Sequence, residues 1–164
     1  MNLKTIEPSS EQTQRFVELA REYCQWSEAT PGTQDEEMAT ATRLLAKLYA
    51  TILDLPFEPA GTDLEFETMT HDAWQKVYQR FSSMPFTQYR DIDDPFDMQS
   101  ASVNAGDIAD DLADIYRDMK DGLSLWDHNH VKEAVCYWEE SFRIHWGQHA
   151  IDALKALHWR RHNR

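Results

Sequence analysis

Gly106-Asp-Ile-Ala-Asp-Asp-Leu-Ala-Asp-Ile-Tyr-Arg-Asp-Met-Lys-Asp-Gly122 decides the fold. On a helical wheel of about 100° per residue, Ile108, Leu112, Ile115, Met119, Leu123 and Trp126 fall on one apolar stripe. Asp107, Asp111, Asp114 and Asp118 stack as a rib along one edge of that stripe, at spacings of four, three and four. The pattern predicts a helix over about 106–126. The four-residue turn Asp127-His-Asn-His130 follows, and a second helical pattern runs over about 130–160. Its inward stripe is Val131, Val135, Trp138, Phe142, His145, Trp146, His149, Ala153 and Leu157. So short a turn makes the two helices antiparallel neighbours.

Upstream the same periodicity recurs. Phe16, Leu19, Ala20, Tyr23 and Cys24 predict a first helix after the Pro8-Ser9-Ser10 cap, with Trp26 near its end. Thr30-Pro-Gly32 breaks it. Thr33 is the expected N-cap of a second helix, and Asp35, Glu36 and Glu37 complement the dipole of its first turn. This helix carries Met38, Ala41, Leu44, Leu45, Leu48, Tyr49, Ile52 and Leu53 on one face, and Pro56 ends it. Residues 56–69 read as a polar loop with Pro59 and Gly61. Thr70 caps a shorter third helix with Trp74, Val77, Tyr78 and Phe81 inward. Residues 82–104 lose all periodicity and hold Pro85 and the acidic run Asp91-Ile-Asp-Asp-Pro-Phe-Asp97. A loop of that length is a candidate functional segment, and its Asp91, Asp93, Asp94 and Asp97 could add ligands as a lid over a site. The expected fold is all-α: one domain over residues 1–164, a bundle of five main helices whose last two form an antiparallel hairpin.

Composition narrows the function classes. A chain of 164 residues can close a substantial core, and only five glycines disfavour a turn-rich β fold. A formal net charge of −13 repels nucleic-acid phosphates and anionic lipid, which argues against both as partners. The basic exception is Arg160, Arg161 and Arg164, where cations complement a helix C-terminus. No apolar run approaches the roughly 20 residues of a membrane span. The N-terminus lacks the basic-then-apolar layout of a signal peptide. Cys24 and Cys136 fit buried free thiols, so a cytoplasmic setting is expected.

The chemistry-bearing residues meet at the seam of the last two helices. Matching levels across the tight turn sets His149 beside Ile108 and His145 beside Leu112. Asp107 and Asp111 are then the acids expected to reach the imidazoles, while Arg143 is level with Asp114 and Glu139 with Asp118. The seam admits three readings. It is a hydrogen-bonded network that fixes helix register. It is a divalent-metal site in which His145 and His149, at i and i+4, chelate one ion completed by Asp107 or Asp111. Or it lines a small-molecule pocket where Asp and His do acid–base work.

No standard catalytic signature is complete. His145-Trp-Gly-Gln-His149 lacks the glutamate of the zinc-protease motif, and there is no Glu-x-x-His of the di-iron bundles, no P-loop and no nucleophile elbow. Asp111-Leu-Ala-Asp114 is similar to the second acidic motif of the all-α nucleotide pyrophosphatases, but their first motif, Glu-x-x-Glu, is missing. His71-Asp72 opens the third helix, and His158 and His162 sit near a basic helix end. No catalytic residue is assigned. The sequence favours a non-enzymatic interaction or adaptor protein with a protein partner. The alternative is a metal-binding protein or metal-dependent hydrolase built on Asp107, Asp111, His145 and His149.

Two strings carry a family resemblance. Asp110-Asp-Leu-Ala-Asp-Ile-Tyr-Arg-Asp-Met-Lys-Asp-Gly-Leu123 and His145-Trp-Gly-Gln-His-Ala150, with Trp138, Ser141-Phe142 and Ala153-Leu-Lys-Ala-Leu-His158, resemble a bacterial family known as domain of unknown function 5063. Leu48-Tyr49 and Leu53-Asp-Leu-Pro56 resemble its second helix. The resemblance implies an all-helical fold and brings no activity, substrate or catalytic residue.

Overall fold

The computed structural model of the chain describes residues 10–56 and 64–163. Pro8, Ser9, Pro59, Gly61 and Arg164 lie outside the described residues. The described residues are largely helical: α1 (Glu11–Glu28), α2 (Gln34–Ile52), α3 (His71–Phe81), α4 (Ile108–Asp127), α5 (Val131–Ser141) and α6 (Gly147–His162). A π-helical turn, Phe142–Trp146, joins α5 to α6, so the expected fifth helix is one rod with an inserted wide turn. Two short strands, β1 (Gln88–Asp91) and β2 (Asn104–Asp107), pair antiparallel between α3 and α4.

Local sequence explains the boundaries. Ser10, Thr33 and Thr70 each cap a helix by accepting a backbone N–H, and Thr33 forms a reciprocal capping box with Glu36. Asn129 takes the left-handed conformation, φ 65°, that lets the tight turn reverse the chain between α4 and α5. Helix α4 packs against α1, α3, α5 and α6 and is the axis of the molecule. Its stripe of Ile108, Leu112, Ile115, Met119 and Leu123 is buried with Phe16, Leu44, Leu48, Phe81, Trp138 and Trp146 in one continuous core. Tyr23 is fully buried there, and its hydroxyl donates to the Leu112 carbonyl at 2.9 Å. Burial pushes the Cys24 thiol up to about 12, so it packs as a neutral apolar group. Both cysteines are free and buried.

Two expectations change. Leu53 is 64% exposed, because α2 ends at Ile52 and Leu53 is its C-cap. The unpatterned stretch 82–104 is not wholly loop. Its strands are four residues each, polar and without apolar alternation, so period-2 reasoning has nothing to register. Register pairs Tyr89 with Gly106. A Cβ on Gly106 would overlap the Tyr89 ring, so the glycine lets that ring lie flat across β2 and reach α4.

Candidate metal centre at the α4 and α6 seam

Asp111, Asp114 and Asp118 project from successive turns of α4 toward His145 and His149. His145 Nδ1 lies 2.6 Å from Asp118 Oδ2, and His149 Nδ1 lies 2.7 Å from Asp111 Oδ1. An ionised carboxylate only accepts, so each Nδ1 carries the proton and donates. That fixes the tautomer of both neutral rings and leaves each Nε2 with its lone pair outward. Both Nε2 atoms then face one oxygen: Asp114 Oδ2 lies 3.3 Å from that of His145 and 3.5 Å from that of His149. The ligand atoms of Asp114, His145 and His149 all fall within 4.8 Å of one another.

Each carboxylate is held from a second side. Trp74 Nε1 donates to Asp114 Oδ1 at 2.8 Å, and Arg117 Nη2 lies 3.0 Å from the same oxygen. Tyr89 donates to Asp111 Oδ2, and Tyr137 donates to Asp118 Oδ1 at 3.2 Å. Asp121 accepts from the Met69 backbone N–H at 2.8 Å. The acids are well enclosed, with side chains only 7% exposed at Asp111 and Asp118, while His145 and His149 remain 31% and 24% exposed. The imidazoles therefore form the solvent-facing mouth.

Three electron-rich atoms at this separation repel unless a cation sits among them. A proton can fill the role. Contacts to Asp114 and Asp118 raise the His145 imidazole to about 9. Burial opposes charging of His149, but the hydrogen bond and charge of Asp111, with the charge of Asp114, together outweigh it and raise this imidazole as well. Burial raises the Asp111 carboxyl despite the bonds from His149 and Tyr89. At Asp114 burial is outweighed by His145 and Arg117, and the carboxyl stays below its ordinary range.

The wide turn shapes the cluster. His145 lies inside the π segment and His149 one turn beyond it. A π turn advances less along the axis per residue than an α turn. A Cβ on Gly147 would overlap the Phe142 carbonyl oxygen, so this position accommodates glycine alone without a shift.

A family model for a domain of unknown function, DUF5063, matches residues 7–163. The chain belongs to this family. Among solved structures, this DUF5063 protein is similar to protein BF1032 from Bacteroides fragilis, with a TM-score of 0.79 and 23% identity over 94% of this chain and 95% of that one. That likeness shows the fold alone. No curated protein matches the DUF5063 chain.

Of the residues expected at the site, Asp111, His145 and His149 come together and Asp107 does not. Asp107 ends β2 and is the N-cap of α4, accepting from the backbone N–H groups of Ala109 and Asp110 at 2.9 and 3.3 Å. Its other oxygen accepts from Tyr78. The helix begins at Ile108 rather than near 106, which takes Asp107 off the rib. Level-matching erred by about a turn for a related reason. The π segment holds His149 nearer the inter-helix turn, so it meets Asp111, and His145 meets Asp114 and Asp118. Arg143 is exposed, and Asp114 pairs with Arg117 on its own helix instead. Asp118 is held by Tyr137 and His145. Asp93, Asp94 and Asp97 make local loop contacts and supply no ligand to the seam. Trp74, Tyr89 and Tyr137 were missed because nothing in their spacing points to an acid across the fold.

Proposed function

We propose that this protein binds one divalent transition-metal ion through His145 Nε2, His149 Nε2 and Asp114 Oδ2. The observation that carries the reading is the convergence of both Nε2 atoms on one carboxylate oxygen while each Nδ1 lies against a separate carboxylate. Metal-binding histidines take this outer carboxylate partner, which fixes the tautomer and raises the basicity of the ligand nitrogen. Two imidazoles and a carboxylate suit Zn, Fe(II), Mn, Co or Ni, and three protein ligands leave positions free for water or substrate. A metal there supplies a Lewis acid and an activated water. The partly exposed histidines put those free positions toward solvent. Hydrolytic chemistry in a cytoplasmic setting is the extension we favour, the setting being supported by the free thiols of Cys24 and Cys136.

Metal analysis of protein purified without a histidine tag tests the reading. We expect roughly one equivalent of a transition metal, or a marked rise in Tm on its addition, lost in both His145→Ala and His149→Ala. Less than about a tenth of an equivalent with no change in Tm refutes it.

An interaction role has its own support in Phe96 and Met98, which are 89% and 88% exposed on the loop between β1 and β2. It is tested by asking whether a protein partner retained by the native chain is lost on Phe96→Ser with Met98→Ser.

A further inference from the structure

Beside Tyr89, and lined by none of the proposed metal ligands, a cavity of about 590 Å³ opens between β1 and α6. It lies within the range of about 300–1,000 Å³ usual for small-molecule sites. Three aromatic rings line it, Phe86, Tyr89 and Trp159, and three cations, Arg90, Lys155 and Arg160. The gathering of three cations at one cavity is the unusual part, since Arg15, Lys47, Lys76, Arg143 and Arg161 also form no ion pair among the described residues but line no cavity with them. In a chain of net charge −13, Arg21, Arg43, Arg80, Arg117 and Lys120 each pair with an acid. Arg90, Lys155 and Arg160 form no ion pair among the described residues. These three cations surround one concave apolar surface and outnumber Asp91 and Asp152, the acids that act on its Tyr89 wall.

Trp159 is 62% exposed despite its size, a large indole left uncovered at the rim. A planar group between Trp159 and Phe86 would recover that surface, and Arg side chains stack on aromatic planes as readily as they pair with anions. Tyr89 cannot swing away, because its hydroxyl is tied to Asp111 and its ring lies against Gly106. One wall of the cavity is thus preformed.

We infer that the cleft between β1 and α6 is a binding site for an organic anion carrying an aromatic ring, with the ring against Phe86 and Trp159 and the anionic group on Arg90, Lys155 and Arg160. The site is independent of the metal proposal, with which it shares only the Tyr89 wall.

Fluorescence titration with anilinonaphthalene sulfonate, beside its uncharged analogue phenylnaphthylamine, separates the two halves of the recognition. The native chain is expected to bind the sulfonate saturably at one site, about tenfold tighter than the neutral dye, with affinity falling as salt rises. Lys155→Gln with Arg160→Gln should weaken the sulfonate about tenfold and leave the neutral dye unchanged. Trp159→Ala should weaken both. These side chains are exposed, and an unchanged Tm and circular dichroism spectrum verify the fold. Equal affinity for the two dyes, an unchanged sulfonate affinity in the double variant, or no saturable binding below about 1 mM overturns the inference.

Discussion

Trp74 donates its indole N–H to Asp114 Oδ1 at 2.8 Å, and this bond leaves Oδ2 of the same carboxylate aimed at the two imidazoles. The bond crosses from α3 to α4 and is only partly exposed. Trp74→Phe keeps most of the ring and removes the donor. Metal affinity is expected to fall about tenfold, the usual effect of losing an outer-shell partner. Stability should fall by about 1 kcal/mol, the net worth of one such bond. Calorimetric metal titration beside chemical denaturation measures both. A stability loss with unchanged affinity would show that Trp74 holds the helices together without orienting Asp114.

Asp107 and Asp111 are four residues apart and separate cleanly. Asp107→Ala removes a helix cap and should cost about 1 kcal/mol while leaving metal affinity intact. Asp111→Ala frees His149 Nδ1, and metal affinity should drop by about 10–100-fold. Equal metal affinities for the two variants would contradict the placement of Asp111 behind His149.

The division between these two acids marks how far the sequence could be read. Core positions were legible because burial follows helical period: Leu44, Leu48, Leu112, Trp138 and Trp146 all sit where the wheel sets them. The pairing of α4 with α6 was legible because the turn is short. Which acid meets which histidine was not, since a register needs the axial rise of every residue. The π turn changes that rise with no signal but a glycine after an aromatic-rich segment. Asp107 illustrates the same limit at a boundary: one residue of difference in the helix start turns a rib member into a cap. Tyr89 was out of reach because its strand is polar and short, and its partner Gly106 reads in sequence as the opening of a helix.

Gly147 gives a prediction whose sign opposes helix propensity. By propensity alone, Gly→Ala inside a helix stabilises by up to about 1 kcal/mol. Here the new methyl would meet the Phe142 carbonyl oxygen and ring. We expect Gly147→Ala to destabilise by about 1–3 kcal/mol, as overpacking does, and to weaken metal binding by moving His145. Thermal denaturation decides the sign, and a gain in Tm would mean the π turn relaxes at no cost.

Asp121 sets a pH dependence away from the metal ligands. Burial raises its carboxyl from 3.8 to about 6, beside the like charge of Asp118 and despite the Met69 N–H and Tyr137. A carboxyl raised by folding favours the protonated native state. Its stabilising contribution is therefore complete below about pH 4 and is lost as pH climbs through about 6. Asp121→Asn removes the ionisation yet keeps an amide oxygen to accept the Met69 N–H and an amide N–H for the Tyr137 hydroxyl. Relative to the native chain, the variant should gain about 2 kcal/mol between pH 4 and pH 7, most of the effect of a two-unit shift at this buried carboxyl. Pairing the two proteins cancels the histidine titrations common to both. Urea denaturation across that range measures the difference, and a constant offset would mean that Asp121 ionises in the folded protein as it does in the unfolded chain.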